Sequence, residues 1–168
     1  MKKLILFLAI ITLFVSCKSD KKEEVITTVY YLIRHAEKDR STLDKDPGLT
    51  EEGLKRANNW AKILNKKEID LVFSTDYKRT QQTALPIASA NKLKIQSYDP
   101  RDLYNDDFKA QTKDKIVVIV GHSNTTPAFV NTILGSQKYD KIDDSDNGKL
   151  FIVSIVNDSI SVEIEDYN

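Results

Sequence analysis

The chain has 168 residues, 40% hydrophobic and 30% charged, a balance typical of one soluble globular domain. Its 25 basic and 25 acidic residues cancel, so charge gives no reason to expect nucleic acid or another polyanion as partner. A single cysteine, Cys17, excludes an internal disulfide.

In chain order, Met1-Lys2-Lys3 is a positive start and Leu4 to Val15 is apolar apart from Thr12. The run is short for a bilayer span and fits the h-region of a secretory signal peptide. Phe14-Val15-Ser16-Cys17 resembles the lipobox of bacterial lipoproteins, with Phe14 where an aliphatic residue is usual. The resemblance implies cleavage after residue 16 and acylation of Cys17; an ordinary cleaved signal and an uncleaved anchor are the alternatives. Residues 1–16 then form a signal peptide, 17–24 a lipidated cysteine with a polar tether, and 25–168 the folded domain. Extended at about 3.5 Å per residue, the stretch from Lys18 to Glu24 reaches roughly 25 Å. The lipid would anchor the domain to a membrane outside the cytoplasm, in the periplasm or at the cell surface.

Val25 to Ile33 is β-branched and aromatic and predicts a buried strand ending at Arg34-His35. Thr50 predicts an N-cap, with Glu51 and Glu52 favoured at the positive helix end and Leu54, Ala57, Ala61 and Leu64 at helical spacing. Leu71 to Phe73 predicts a strand, followed by a helix from Tyr77 to Ala90 capped by Asp76 and kinked or shortened by Pro86. Leu93 to Ser97 and Ile116 to Val120 predict two further strands, and Thr125 to Leu134 a helix ended by Gly135. Leu150 to Val156 and Ser159 to Ile164 flank Asn157-Asp158 as a hairpin. Strands alternating with helices of crossover length predict a three-layer α/β sandwich. Its central sheet would be mostly parallel and flanked by helices, with the C-terminal β-hairpin at the edge.

Ligands of such sheets bind beyond the carboxyl ends of the strands. Arg34-His35, Ser74 through Arg79, and Gly121-His122 all follow predicted strand ends. A single histidine there is most often structural, but these are the chain's only two, and two guanidinium groups accompany them. Arginine presents planar paired donors that match phosphate oxygens. A two-histidine zinc site is the competing idea, yet no HxH, HExxH or cysteine-rich spacing supports a metal.

Four segments, in order, resemble the histidine phosphatase superfamily, also called phosphoglycerate mutase-like. Arg34-His35-Ala36-Glu37 is similar to its Arg-His-Gly signature with Ala for Gly, and Leu49-Thr50-Glu51-Glu52-Gly53 to its Leu-Thr-x-x-Gly helix start. The stretch from Ser74 to Ala84 is similar to its Ser…Arg…Gln-Thr-Ala segment, and Val120 to Asn124 to its Gly-His segment. The resemblance implies a metal-independent, cofactor-free phosphatase in which neutral His35 attacks phosphorus and becomes phosphohistidine. Arg34, Arg79 and His122 would bind the equatorial oxygens, with Glu37 and Ser123 also candidates for touching substrate. The family's usual acidic proton donor has no match, and Asp102 is chosen ahead of Asp99 and Asp106. A mutase would additionally need to retain a bisphosphate intermediate, for which the sequence has no sign.

The domain resembles the small phosphohistidine phosphatases in size and leaves no room for a large cap, so the site should be open. The expected substrates are a phosphorylated small molecule, glycolipid or protein, as a phosphomonoester or phosphoramidate. The alternative is a catalytically impaired lipoprotein that binds phosphorylated ligands, suggested by Ala36 and the missing acid.

Overall fold

A computed structural model describes residues 27–168. The expected signal peptide, the lipobox-like segment with Cys17, the expected tether and the first two residues of the first predicted strand lie outside the described residues.

Six strands form one sheet: β1 (Thr27–Arg34), β2 (Leu71–Ser74), β3 (Ile95–Ser97), β4 (Ile116–Gly121), β5 (Lys149–Val156) and β6 (Ser159–Asp166). Their spatial order is β3-β2-β4-β1-β5-β6; the first four run parallel, β5 is antiparallel to β1, and β6 closes the hairpin. The expected α/β sandwich is therefore observed. Asn157 and Asp158 take φ of 46° and 66°, the left-handed conformations that a tight two-residue hairpin turn requires.

Strand alternation divides the core into two layers. On one face Tyr30, Leu32, Phe73, Val117, Ile119, Phe151 and Val153 pack with Phe108 of α3 (Asp106–Thr112) and Phe129, Val130 and Ile133 of α4 (Thr125–Leu134). On the other, Tyr31, Ile33, Val72, Val118, Val120 and Leu150 pack with α1 (Glu51–Leu64) through Trp60 and Leu64, and with α2 (Lys78–Ala90) through Ala84, Ile87 and Ala88. Central strands covered on both sides explain why β1 and β4 read as nearly continuous apolar runs. β6 has one free edge and carries Glu163, Glu165 and Asp166, charges that discourage pairing with another chain.

Local details depart from the sequence reading in three places. Asp76 does not cap α2: its carboxylate accepts from Gln81, while Asp46 accepts from the Lys78 backbone N–H at 3.1 Å. The helix itself runs to Ala90 as expected, with Pro86 inside it and no shortening. β3 starts at Ile95 because Lys92 turns left-handed (φ 56°) and the Leu93 N–H bonds the Ala88 carbonyl, closing α2. The seven-residue α3 was not anticipated; Asn105 caps it by accepting from the Phe108 N–H at 2.8 Å. It is too short to show a helical period.

Candidate active site

The parallel strands deliver their motifs to one edge of the sheet. β1 and β4 end level, with Arg34 opposite Gly121, and the His35 N–H donates to the Gly121 carbonyl at 2.9 Å. His35 and His122 thus emerge side by side, ring centres 5.5 Å apart and inclined by 69°. Gly121 has to be glycine: a Cβ there would meet the hydroxyl oxygens of Thr126 and Tyr98 at 2.9 Å and of Thr125 at 3.0 Å. The cleft they enter has a volume of about 490 Å³.

His35 is 4% exposed. Its Nδ1 lies 2.7 Å from the Ala36 carbonyl, which can only accept, so Nδ1 carries the proton and Nε2 keeps the lone pair. Burial, and then the positive charges of Arg34, His122 and Arg79, push its pKa down to about 3 despite that hydrogen bond. The ring is therefore a neutral base at physiological pH. Asn147 donates to the His35 carbonyl at 2.8 Å and fixes the backbone from the loop before β5.

Arg34 is buried, and one of its terminal nitrogens donates to the carbonyls of Asp143 and Asp146, both at 2.8 Å. The other stands 3.6 Å from the exposed Asp144 carboxylate. Its Nε has no protein partner, nor does the Nε of Arg79. Arg79 is held by Asp46 at 3.3 Å and lies over the Tyr77 ring, 4.4 Å from its centre. Buried guanidinium N–H groups that are fixed yet unsatisfied are suited to receive an anion.

His122 Nε2 is 2.9 Å from the Thr75 hydroxyl, which passes its own proton to Thr80. Nε2 is then the protonated nitrogen, and Nδ1 faces Arg79 at 3.4 Å. Burial first, then Arg79, Arg34 and Lys38, lower its pKa to about 4.

The remaining motif residues position these groups. The Thr50 side chain caps α1 by accepting from Gly53 at 3.0 Å, and the Thr50 N–H reaches back to the Glu37 carbonyl at 2.9 Å. A Cβ on Gly53 would lie 2.3 Å from that same carbonyl oxygen. Gln82 accepts from the Leu49 N–H at 2.7 Å, and Thr83 accepts from the Ala36 N–H at 3.0 Å while donating to the Arg79 carbonyl at 2.7 Å. Ala36 is fully buried with both backbone groups bonded, so alanine is accommodated where the family signature has glycine.

Two sequence expectations are corrected here. Asp102 does not reach the cleft: it is exposed, and its carboxylate accepts from the Asn105 side chain at 2.9 Å just before α3. Asp99 pairs with Arg101 at 2.7 Å and Asp106 with Lys109 at 3.0 Å, so neither reserve candidate replaces it. Glu37 turns away from the cleft to meet Arg56 at 2.6 Å. Ser123 does line the cleft. Sequence reasoning passed over Arg40, Tyr77, Lys141 and Asp144, which line it too, and Asp46 and Thr75, which hold Arg79 and His122. Asp144, a carboxylate on the cleft wall, is kept ionised below the usual range, first by the charge of Lys141 and then by Arg34. Among the described residues no group of three or more His, Cys, Asp or Glu is placed to hold a metal ion.

Residues 30–100 match the family profile of the histidine phosphatase superfamily (branch 1). A 69-residue stretch is 38% identical to phosphoserine phosphatase 1 of Hydrogenobacter thermophilus, covering 38% of this chain and 33% of the relative. The match thus spans about a third of the length of that curated relative. Among solved structures, the mycobacterial glucosyl-3-phosphoglycerate phosphatase superposes with a TM-score of 0.62 at 15% identity, covering 84% of this chain and 99% of the other. A protein of Agrobacterium tumefaciens assigned as the phosphohistidine phosphatase SixA superposes with a TM-score of 0.60 at 23% identity, over 83% and 98%. At these identities the superpositions establish the shared fold.

Proposed function

We propose that this chain is a histidine phosphatase of the superfamily its profile match indicates, and that it hydrolyses a phosphomonoester or phosphoramidate through a phosphohistidine on His35. One observation carries the reading: the Ala36 carbonyl fixes the proton on Nδ1, leaving the Nε2 lone pair free beside two guanidinium groups whose Nε atoms are buried and unsatisfied.

The sequence of steps follows from those groups. The substrate phosphoryl group lies among Arg34, Arg79 and His122; the unsatisfied guanidinium N–H groups of the two arginines donate to its equatorial oxygens, and His122 positions Arg79 through Nδ1. Nε2 of His35 attacks phosphorus in line, the N–P bond forms, and the bond to the leaving oxygen or nitrogen breaks with its electron pair. Solvent entering the open cleft protonates the leaving group. Water then attacks phosphorus, the P–N bond breaks, its electrons return to Nε2, and inorganic phosphate leaves with the water oxygen. Nδ1 keeps its proton throughout, and the Ala36 carbonyl stabilises the partly positive ring. No step is routed through a metal or a cofactor.

The setting is part of the same proposal: a lipid on Cys17 anchors the domain to a membrane outside the cytoplasm, where it meets a phosphorylated small molecule, glycolipid or protein. The lipobox-like segment supports this reading.

p-Nitrophenyl phosphate hydrolysis and trapping with labelled substrate test the chemistry. Wild type should accumulate an acid-labile, base-stable phosphoenzyme. His35→Ala should lose it and fall at least about 10³-fold in kcat, as expected when a nucleophile is removed. Equal rates for the two proteins would overturn the mechanism. Mass spectrometry of the N-terminal peptide tests acylation of Cys17.

A further inference from the structure

Six cationic side chains line the cleft: Arg34, Lys38, Arg40, Arg79, Arg101 and Lys141. Four of them share three carboxylates that limit what else they can bind. Asp99 holds Arg101 through two of its nitrogens, Asp46 holds Arg79, and Asp144 is shared between Arg34 and Lys141. Lys38 and Arg40 differ. Among the described residues neither has a carboxylate within 4.0 Å; Arg40 makes one long contact, 3.4 Å to the Asp144 backbone carbonyl. Both also line an adjoining recess of about 180 Å³, where Glu37 is already neutralised by Arg56. Partial burial, followed by the nearby charges of Arg79 and Arg40, lowers the Lys38 pKa against a smaller opposing pull from Asp144.

A phosphoryl dianion bound at Arg34, Arg79 and His122 leaves these rim cations uncompensated. We propose that Lys38 and Arg40, with the Asp144-paired Lys141 lining the same cleft, form a subsite for a second anionic group, so that the preferred substrate bears a phosphate or carboxylate beside its scissile phosphate. The inference rests on the phosphoryl position assigned above and narrows the substrate to a polyanionic phosphoester.

The test compares three ligands that share a propyl chain: propyl phosphate, 3-(phosphonooxy)propanoate and propane-1,3-diyl bisphosphate. Calorimetric titration of His35→Ala avoids turnover. At roughly threefold per exposed ion pair, one or both dianion-plus ligands should bind about tenfold tighter than propyl phosphate. Adding Lys38→Gln and Arg40→Gln should bring the affinity ratio close to one; Lys141→Gln alone should lower it by a smaller factor and covers the case of a misfolded double variant. Equal affinity for all three ligands in His35→Ala overturns the subsite, and so does a ratio indifferent to all of these substitutions. The phosphatase reading is separable: wild type that retains the ligand preference but turns over no p-nitrophenyl phosphate sinks the chemistry and leaves the subsite standing.

Discussion

A histidine attacks phosphorus only as the free base, so the useful property of His35 is how strongly its surroundings reject a proton. Its pKa near 3 and that of His122 near 4 both lie below the ordinary value of 6.5. After correction for the substrate's own second ionisation near pH 6, kcat/KM should therefore stay level below pH 6.5 and decline only towards pH 4. A midpoint at 6.5 in that profile would refute the burial argument. Stability has the matching sign. The unfolded chain binds protons at these histidines before the folded one does, so their contribution is complete above pH 6.5 and is lost as pH falls towards 4. The slope is up to about 1.4 kcal/mol per pH unit for each group, and urea midpoints of wild type and His35→Asn at pH 7 and pH 5 would read it. The histidines and arginines were visible in the sequence because Arg34, His35 and His122 sit at strand ends and Arg79 in the first turn of α2, each within a recognisable motif. Asp46 and Asp144 were not: they act from irregular loops, whose paths no periodicity records. Asp102 misled because nearness in sequence to a strand end does not fix which way a side chain points, and the Asn105 amide claims it.

Helices and strands are joined to the site by backbone contacts at a few glycines and hydroxyls. Gly53→Ala should cost about 2 kcal/mol or more, since its methyl would press on the Glu37 carbonyl, and that backbone cannot shift without moving Ala36 and His35. Activity should fall along with stability. Gly48→Ala is the milder comparison: its Cβ would meet only the end of the Gln82 side chain, at 2.9 Å, which can rotate away at the cost of its bond to the Leu49 N–H. Chemical denaturation and p-nitrophenyl phosphate kinetics on both variants check the pair; equal losses would show that the close approach at Gly53 is unimportant. The elements themselves were largely legible, since β1, β4 and α1 are long, strongly patterned and well bounded. Short elements escaped or moved: α3 offers only Phe108 and Thr112 to the interior, and β3 is three residues long. The cap of α2 comes from a residue distant in sequence, and local reading could not reveal it.

The molecule as a whole is electrically even, yet six cationic side chains meet in the cleft at one edge of the sheet. For a dianionic ester, kcat/KM should drop several-fold between about 10 mM and 0.5 M salt, mainly through KM, because screening shortens the reach of the cleft's field. A KM indifferent to salt would remove electrostatic capture from the account. The direction of β1 has a consequence for supply. The strand runs from Thr27 to Arg34 across the full width of the sheet, roughly 26 Å at about 3.3 Å per residue. Whatever precedes Thr27 thus joins the domain at the edge opposite the catalytic mouth. Hung from a surface by that end, the domain would turn its mouth outward, towards molecules arriving from solution and away from head groups in the layer that holds it. Of the substrates proposed above, soluble phosphoesters would then have easier access than a glycolipid in the same leaflet.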